Sequence, residues 1–161
     1  MDCDVVRRRV LLFACCLGFS SDAWALLQSC TVSAVPVNFG IYNPLAAVPV
    51  TATGTVTVSC TVTAIGLLES WTVDLSSGNS GNFATRVLAN GSSTLSYNLY
   101  TSAAFTSIWG DGSATTSVVS GSTLLAVGTT NNYYTVYGRI PAGQDAAAGT
   151  FTDTIVVTLN Y

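Results

Sequence analysis

The sequence predicts an all-β sandwich or barrel, and two observations carry that reading. From Cys30 onward, apolar residues recur with a period of two and seldom with helical spacing. Short apolar runs are also separated by turn clusters such as Ser76-Ser-Gly-Asn-Ser-Gly-Asn82, Asn90-Gly-Ser-Ser93 and Gly110-Asp-Gly-Ser113. At 161 residues, 49% apolar and 8% charged, the chain is long enough for one domain with its own core and too apolar for wholesale disorder.

The N-terminus reads as a secretory signal peptide over residues 1–25, followed by a mature domain over 26–161. Arg7, Arg8 and Arg9 precede the apolar run Val10–Phe19, and Ala23-Trp24-Ala25 fits the small-x-small cleavage rule. The run is about half the ~20 residues of a membrane-spanning helix, so stable membrane insertion is not expected. Lipoprotein processing at Leu12-Phe-Ala-Cys15 would leave almost no apolar segment ahead of the cut. The adjacent arginines leave general and twin-arginine export both open. Cleavage removes Cys3, Cys15 and Cys16, leaving Cys30 and Cys60 in an oxidising compartment, where they are expected to form one disulfide.

The first strand is expected over Cys30–Phe39. Pro36 cannot donate a ladder hydrogen bond, so this strand should lie at an edge or carry a bulge. The second is the clearest: over Gly54–Thr63, Val56, Val58, Cys60 and Val62 alternate with Thr55, Thr57, Ser59 and Thr61. If the two run antiparallel with Cys30 opposite Cys60, Pro36 falls opposite Gly54, with Phe39–Thr53 as connection. Further strands are expected at Trp71–Leu75, Arg86–Leu88, Thr94–Thr101, Leu124–Val127 and Tyr133–Ile140. Ala142–Ala148 has room for one helical turn. In the last strand, Phe151–Tyr161, the apolar side holds Phe151, Ile155, Val157, Leu159 and Tyr161, and only Val156 breaks the polar side.

The chemical inventory is sparse. The sequence has no His, and residues 26–161 have no Lys, which removes Ser-His-Asp, Cys-His and lysine-based nucleophilic mechanisms. With a net charge of −3 and three of its five basic residues at positions 7–9, the chain lacks the basic stripe that nucleic acid requires. Two cysteines are too few for a structural zinc site, and Gly110-Asp111-Gly112 lacks the ligand ladder of a calcium loop. No metal or cofactor is expected. The enzymatic arrangement left is a carboxylate pair, Asp111 with Asp145 or Asp153, as in glycoside hydrolysis. Five carboxylates on an exported domain are more simply explained by solubility and turn hydrogen bonds. Asn90-Gly91-Ser92 matches a glycosylation acceptor but reads more simply as a hairpin turn.

Several segments carry a family pattern in order. They are Cys30-Thr-Val-Ser-Ala-Val-Pro-Val-Asn-Phe-Gly-Ile-Tyr-Asn-Pro44, Gly54-Thr-Val-Thr-Val-Ser-Cys60, Leu95-Ser-Tyr-Asn-Leu-Tyr100, Trp109-Gly-Asp-Gly112, Tyr137-Gly-Arg-Ile-Pro141 with Gln144, and Gly149–Tyr161. Together they resemble the spore coat protein U domain family, related to subunits of archaic, Csu-type chaperone-usher pili. The resemblance implies an immunoglobulin-like, pilin-like β-sandwich that lacks its final strand. It also implies a non-enzymatic structural or adhesive subunit that passes through the periplasm to the cell surface. Its partners would be a periplasmic pilus chaperone, an usher and other pilin subunits, with a donated strand filling the open groove. Val32, Val37, Ile155, Val157 and Leu159 are the candidates for the groove lining.

Only Leu26–Ser29 would precede Cys30 after cleavage, too few residues to donate a strand at ~3.3 Å each. The expectation is a subunit that accepts a strand without giving one, as at a fibre tip. Leu67, Leu68, Trp71, Phe105, Ile108 and Trp109 are candidates for surface-contact loops, although Trp71 and Trp109 also suit a core. Two alternatives are a stand-alone spore-coat or extracellular-matrix protein and, because alternation runs to an aromatic C-terminus, a small outer-membrane β-barrel.

Overall fold

Eight strands in two antiparallel sheets make up the regular structure of residues 28–63, 68–124 and 127–161, which the computed structural model describes. They are β1 (Gln28–Val35), β2 (Val50–Val62), β3 (Leu68–Leu75), β4 (Arg86–Asn90), β5 (Ser93–Tyr100), β6 (Val119–Leu124), β7 (Gly128–Ile140) and β8 (Val157–Asn160). One sheet has the order β1-β2-β7-β5-β4 and the other β6-β3-β8. Each sheet keeps free edges, so the architecture is a sandwich and the outer-membrane barrel is set aside. The expected signal peptide and Leu67 lie outside the described residues.

The alternation read from the sequence packs the interior. Val56, Val58, Cys60 and Val62 of β2 are buried, as are Trp71, Val73 and Leu75 of β3 and Val157 and Leu159 of β8. Cys30 pairs with Cys60 in the β1–β2 register and is disulfide-bonded to it. The bond closes a loop of 30 residues. Replacing Cys60 with Ser is expected to cost roughly 3–4 kcal/mol in the chain-entropy model. Urea unfolding compared with wild type measures this, and an unchanged midpoint would refute it.

Several element boundaries differ from expectation, each for a local reason. β1 ends at Val35, not Phe39, because Pro36 has no N–H to continue the ladder. Beyond it the chain crosses the inner side of the larger sheet, where Gly54 and Gly138 leave room. A Cβ on Gly54 would meet Val35 and Val37, and one on Gly138 would meet Val37 and Phe39. β7 begins at Gly128, ahead of the expected Tyr133, because Thr129–Asn132 stay paired with β2. The strand expected at Leu124–Val127 is instead β6, which pairs with β3. Residues 142–148 form no helical turn. The last strand pairs with β3 only over Val157–Asn160, while Thr152 bridges to Ala89 of β4, so this segment passes from one sheet to the other.

Candidate functional site

The smaller sheet has three strands against five and leaves part of the larger sheet's inner face without a covering strand. β8 lies at its edge, paired with β3 on one side. The Ser76 N–H donates to the Val156 carbonyl at 2.9 Å. In an antiparallel register this alternation turns the backbone groups of Val156, Thr158 and Asn160 toward β3. Those of Val157 and Leu159 therefore face the open side while their side chains enter the core.

The segment leading into β8 borders a cavity of about 770 Å³. Residues 36–42 form one bank and residues 146–153 the other, and Leu88, Leu95, Leu99 and Ile140 contribute to its lining. Phe39 meets Tyr97 edge-to-face, with ring centroids 5.8 Å apart. At one end the banks are tied. The Tyr42 hydroxyl donates to the Pro141 carbonyl at 3.2 Å and accepts from the Gln144 N–H at 2.8 Å. The Gln144 amide then bonds the backbone of Ser96 twice, each at 2.8 Å, as a strand neighbour would.

A buried polar cluster holds the sheets together nearby. Arg86 is 0% exposed. Its guanidinium donates to the Ser76 carbonyl at 2.8 and 3.0 Å, to Asn98 Oδ1 at 2.7 Å and to the Trp109 carbonyl at 2.7 Å. Burial lowers its proton affinity, and the nearby Tyr97 and Asp153 oppose that effect. The Tyr97 hydroxyl donates to Asp153 Oδ2 at 2.7 Å, and the Asn79 N–H donates to Asp153 Oδ1 at 2.8 Å. Burial, followed by the bond to Asp153, pushes the Tyr97 pKa well up, so the phenol stays protonated.

The residues expected to line the groove are divided. Val37 lines the cavity, and Val32 is half-buried against the core. Ile155, Val157 and Leu159 lie in the core at 1%, 4% and 1% exposure, and Val157 and Leu159 contribute their backbone edge, not their side chains, to the open side. Phe39, Leu88, Leu95, Leu99 and Phe151 line the cavity and were missed. Alternation in Leu95-Ser-Tyr-Asn-Leu99 marks two of these residues, Leu95 and Leu99, as inward, but not as lacking a covering strand.

The surface-contact candidates require correction. Trp71 and Trp109 are 2% and 0% exposed. Their ring N–H groups donate to the Tyr134 hydroxyl at 2.9 Å and the Val73 carbonyl at 2.8 Å, so both belong to the core. Phe105 is half-buried between Tyr100 and Arg139, and Ile108, also half-buried, bridges to Tyr100. Leu68 begins β3, and Leu67 is outside the described residues. The two most exposed large apolar groups among the described residues are in the β1–β2 connection, Ile41 at 94% and Leu45 at 93%.

The carboxylates do not form the pair weighed for hydrolysis. Asp153 is occupied by Tyr97 and Asn79, whereas Asp111 is exposed and held by the Ser113 hydroxyl, which lowers its pKa. Asp145 is exposed as well. Among the described residues no group of three or more His, Cys, Asp or Glu is placed to hold a metal.

The Spore Coat Protein U domain matches residues 19–158 of the chain. Protein U of Myxococcus xanthus is 31% identical over 138 residues, covering 78% of this chain and 71% of that protein. The fold is similar to a chain in the crystal structure of the CsuC-CsuE chaperone-tip adhesion subunit pre-assembly complex from archaic chaperone-usher Csu pili of Acinetobacter baumannii. That match has a TM-score of 0.51 and 23% identity, and it covers 84% of this chain and 40% of the other. At this identity the likeness concerns the fold alone, and the chain spans about 40% of the length of that solved one.

Proposed function

The chain belongs to the Spore Coat Protein U domain family, and from that premise we propose that it is an exported, non-enzymatic subunit of a chaperone-usher type surface assembly. Its open sandwich accepts a strand, first from a periplasmic chaperone and then from a neighbouring subunit. One observation carries this reading: β8 turns the backbone edge of Val157 and Leu159 away from β3, and the segment leading into it, residues 146–153, forms one wall of the 770 Å³ cavity opposite residues 36–42. A strand placed there would pair with that edge and send alternate apolar side chains toward the cavity. The fold shared with a chain of a chaperone–subunit complex supports the same reading.

An open apolar edge of this kind is an aggregation hazard unless a partner covers it. Affinity purification of the exported chain from periplasm is therefore expected to recover an assembly chaperone in equimolar amount. Recovery of a soluble, partner-free monomer as the main species would refute the proposal.

A further inference from the structure

A second surface stands apart from the cavity: the outward face of β1, β2 and β7. These three strands contain a single charged residue, Arg139, and no carboxylate. The described carboxylates Asp74, Asp111, Asp145 and Asp153 all lie outside them. Soluble surfaces ordinarily mix both signs of charge at about a quarter to a third of positions, so a long face with one cation and no carboxylate departs from the usual pattern.

Hydroxyl, amide and aromatic side chains make up most of the face, with Val35 and Arg139 toward its ends, and the strand register sets them in rows. Thr31, Ser59 and Asn131 form one row, and Ser33, Thr57 and Tyr133 form the next. Of the pairs across β2 and β7, Thr61 and Thr129 bond each other at 2.9 Å. The hydroxyls of Thr57 and Ser33 make no hydrogen bond to other described residues and remain open to an outside donor or acceptor. Tyr133 is 69% exposed, a large ring standing out from the sheet. Tyr137, half-buried on the same face, follows four residues along the strand, roughly 13 Å away.

We propose that this face is a binding platform for a neutral polysaccharide, with the rings of Tyr133 and Tyr137 stacking on sugar faces and the neighbouring hydroxyls and amide bonding sugar hydroxyls. Each Ser and Thr hydroxyl both donates and accepts, which matches a polyol in any local orientation. Aromatic rings add apolar contact with a polar tip. The near absence of charge selects a neutral chain, since an acidic or basic polymer finds no complementary field here. The 13-residue length of β2 and β7 suits an extended polymer better than a small ligand, which would need a concave site. The proposal does not depend on strand acceptance, because β8 and the cavity lie on the inner side of this sheet.

The test is depletion of the purified, exported full-length chain, with any bound chaperone, by insoluble chitin and by microcrystalline cellulose. Wild type is expected to be retained on at least one of them, with little change between low and high salt. The double variant Tyr133→Ala, Tyr137→Ala should bind at least about tenfold more weakly, as expected for lost stacking contacts. Thr57→Val, which keeps the shape and β preference, controls for folding and should also weaken retention. No retention of wild type on either polymer, retention unchanged in all variants, or retention abolished by salt would each overturn the proposal.

Discussion

Replacing Arg86 with Met is expected to destabilise the fold by about 3–5 kcal/mol, since three buried acceptors lose their donor at about 1–3 kcal/mol each. The Ser76 carbonyl, Asn98 Oδ1 and the Trp109 carbonyl all accept from this one guanidinium. Methionine fills similar volume but donates nothing, so buried acceptors lose their partners. The network also joins the sheets, because Ser76 follows β3 of the smaller sheet while Arg86 and Asn98 sit on β4 and β5 of the larger one. Against a typical total stability of about 5–15 kcal/mol, such a loss is large. Arg86→Lys keeps the charge without the planar fork and should recover only part of it. Urea unfolding with an unchanged slope is the measurement. A loss below about 1 kcal/mol, no more than an ordinary substitution costs, would show that the network does not hold the sheets together.

How much was legible in the sequence depended on whether a signal was local. Alternation over Gly54–Thr63 and the two cysteines gave the β1–β2 register to the residue once the strands were taken as antiparallel neighbours; that they pair within one sheet, and do not cross between sheets, came from the structure. The turn clusters likewise placed β4 and β5. Arg86 was not legible as a core residue, since arginines are mostly exposed and its acceptors come from positions 76, 98 and 109, distant in the chain. Trp109 misled for the opposite reason. It stands beside Gly110-Asp-Gly-Ser113, a surface turn, yet its ring reaches the Val73 carbonyl across the interior. The apolar residues exposed at 41–48 have no distinguishing pattern, because only their missing neighbours make them surface. At the groove the sequence identified Ile155, Val157 and Leu159 as inward. Which backbone groups remained unpaired followed only from knowing that β8 is an edge.

Fusing a strand of alternating apolar residues through a short turn after Tyr161 is expected to convert an aggregation-prone chain into a soluble monomer with a higher unfolding midpoint. The fused strand would run antiparallel to β8 along the backbone groups of Val157 and Leu159 that face the open side. Its inward side chains would cover the cavity bounded by Val37, Phe39, Leu88 and Phe151. Each apolar side chain so buried contributes about 1.5–3 kcal/mol, so changing one of them to Ser in the donor should remove most of that amount while leaving the host chain untouched. A proline at a paired donor position should have a comparable effect by deleting a ladder bond. Val157→Asp in the host should defeat the rescue altogether, because Val157 is 4% exposed and a carboxylate there would be buried without a partner. The donor substitutions separate groove filling from general core damage, which Val157→Asp alone would not. If the fused chain is no more soluble or stable than the unfused one, or if scrambling the donor's alternation leaves the gain intact, the edge of β8 is not an acceptor.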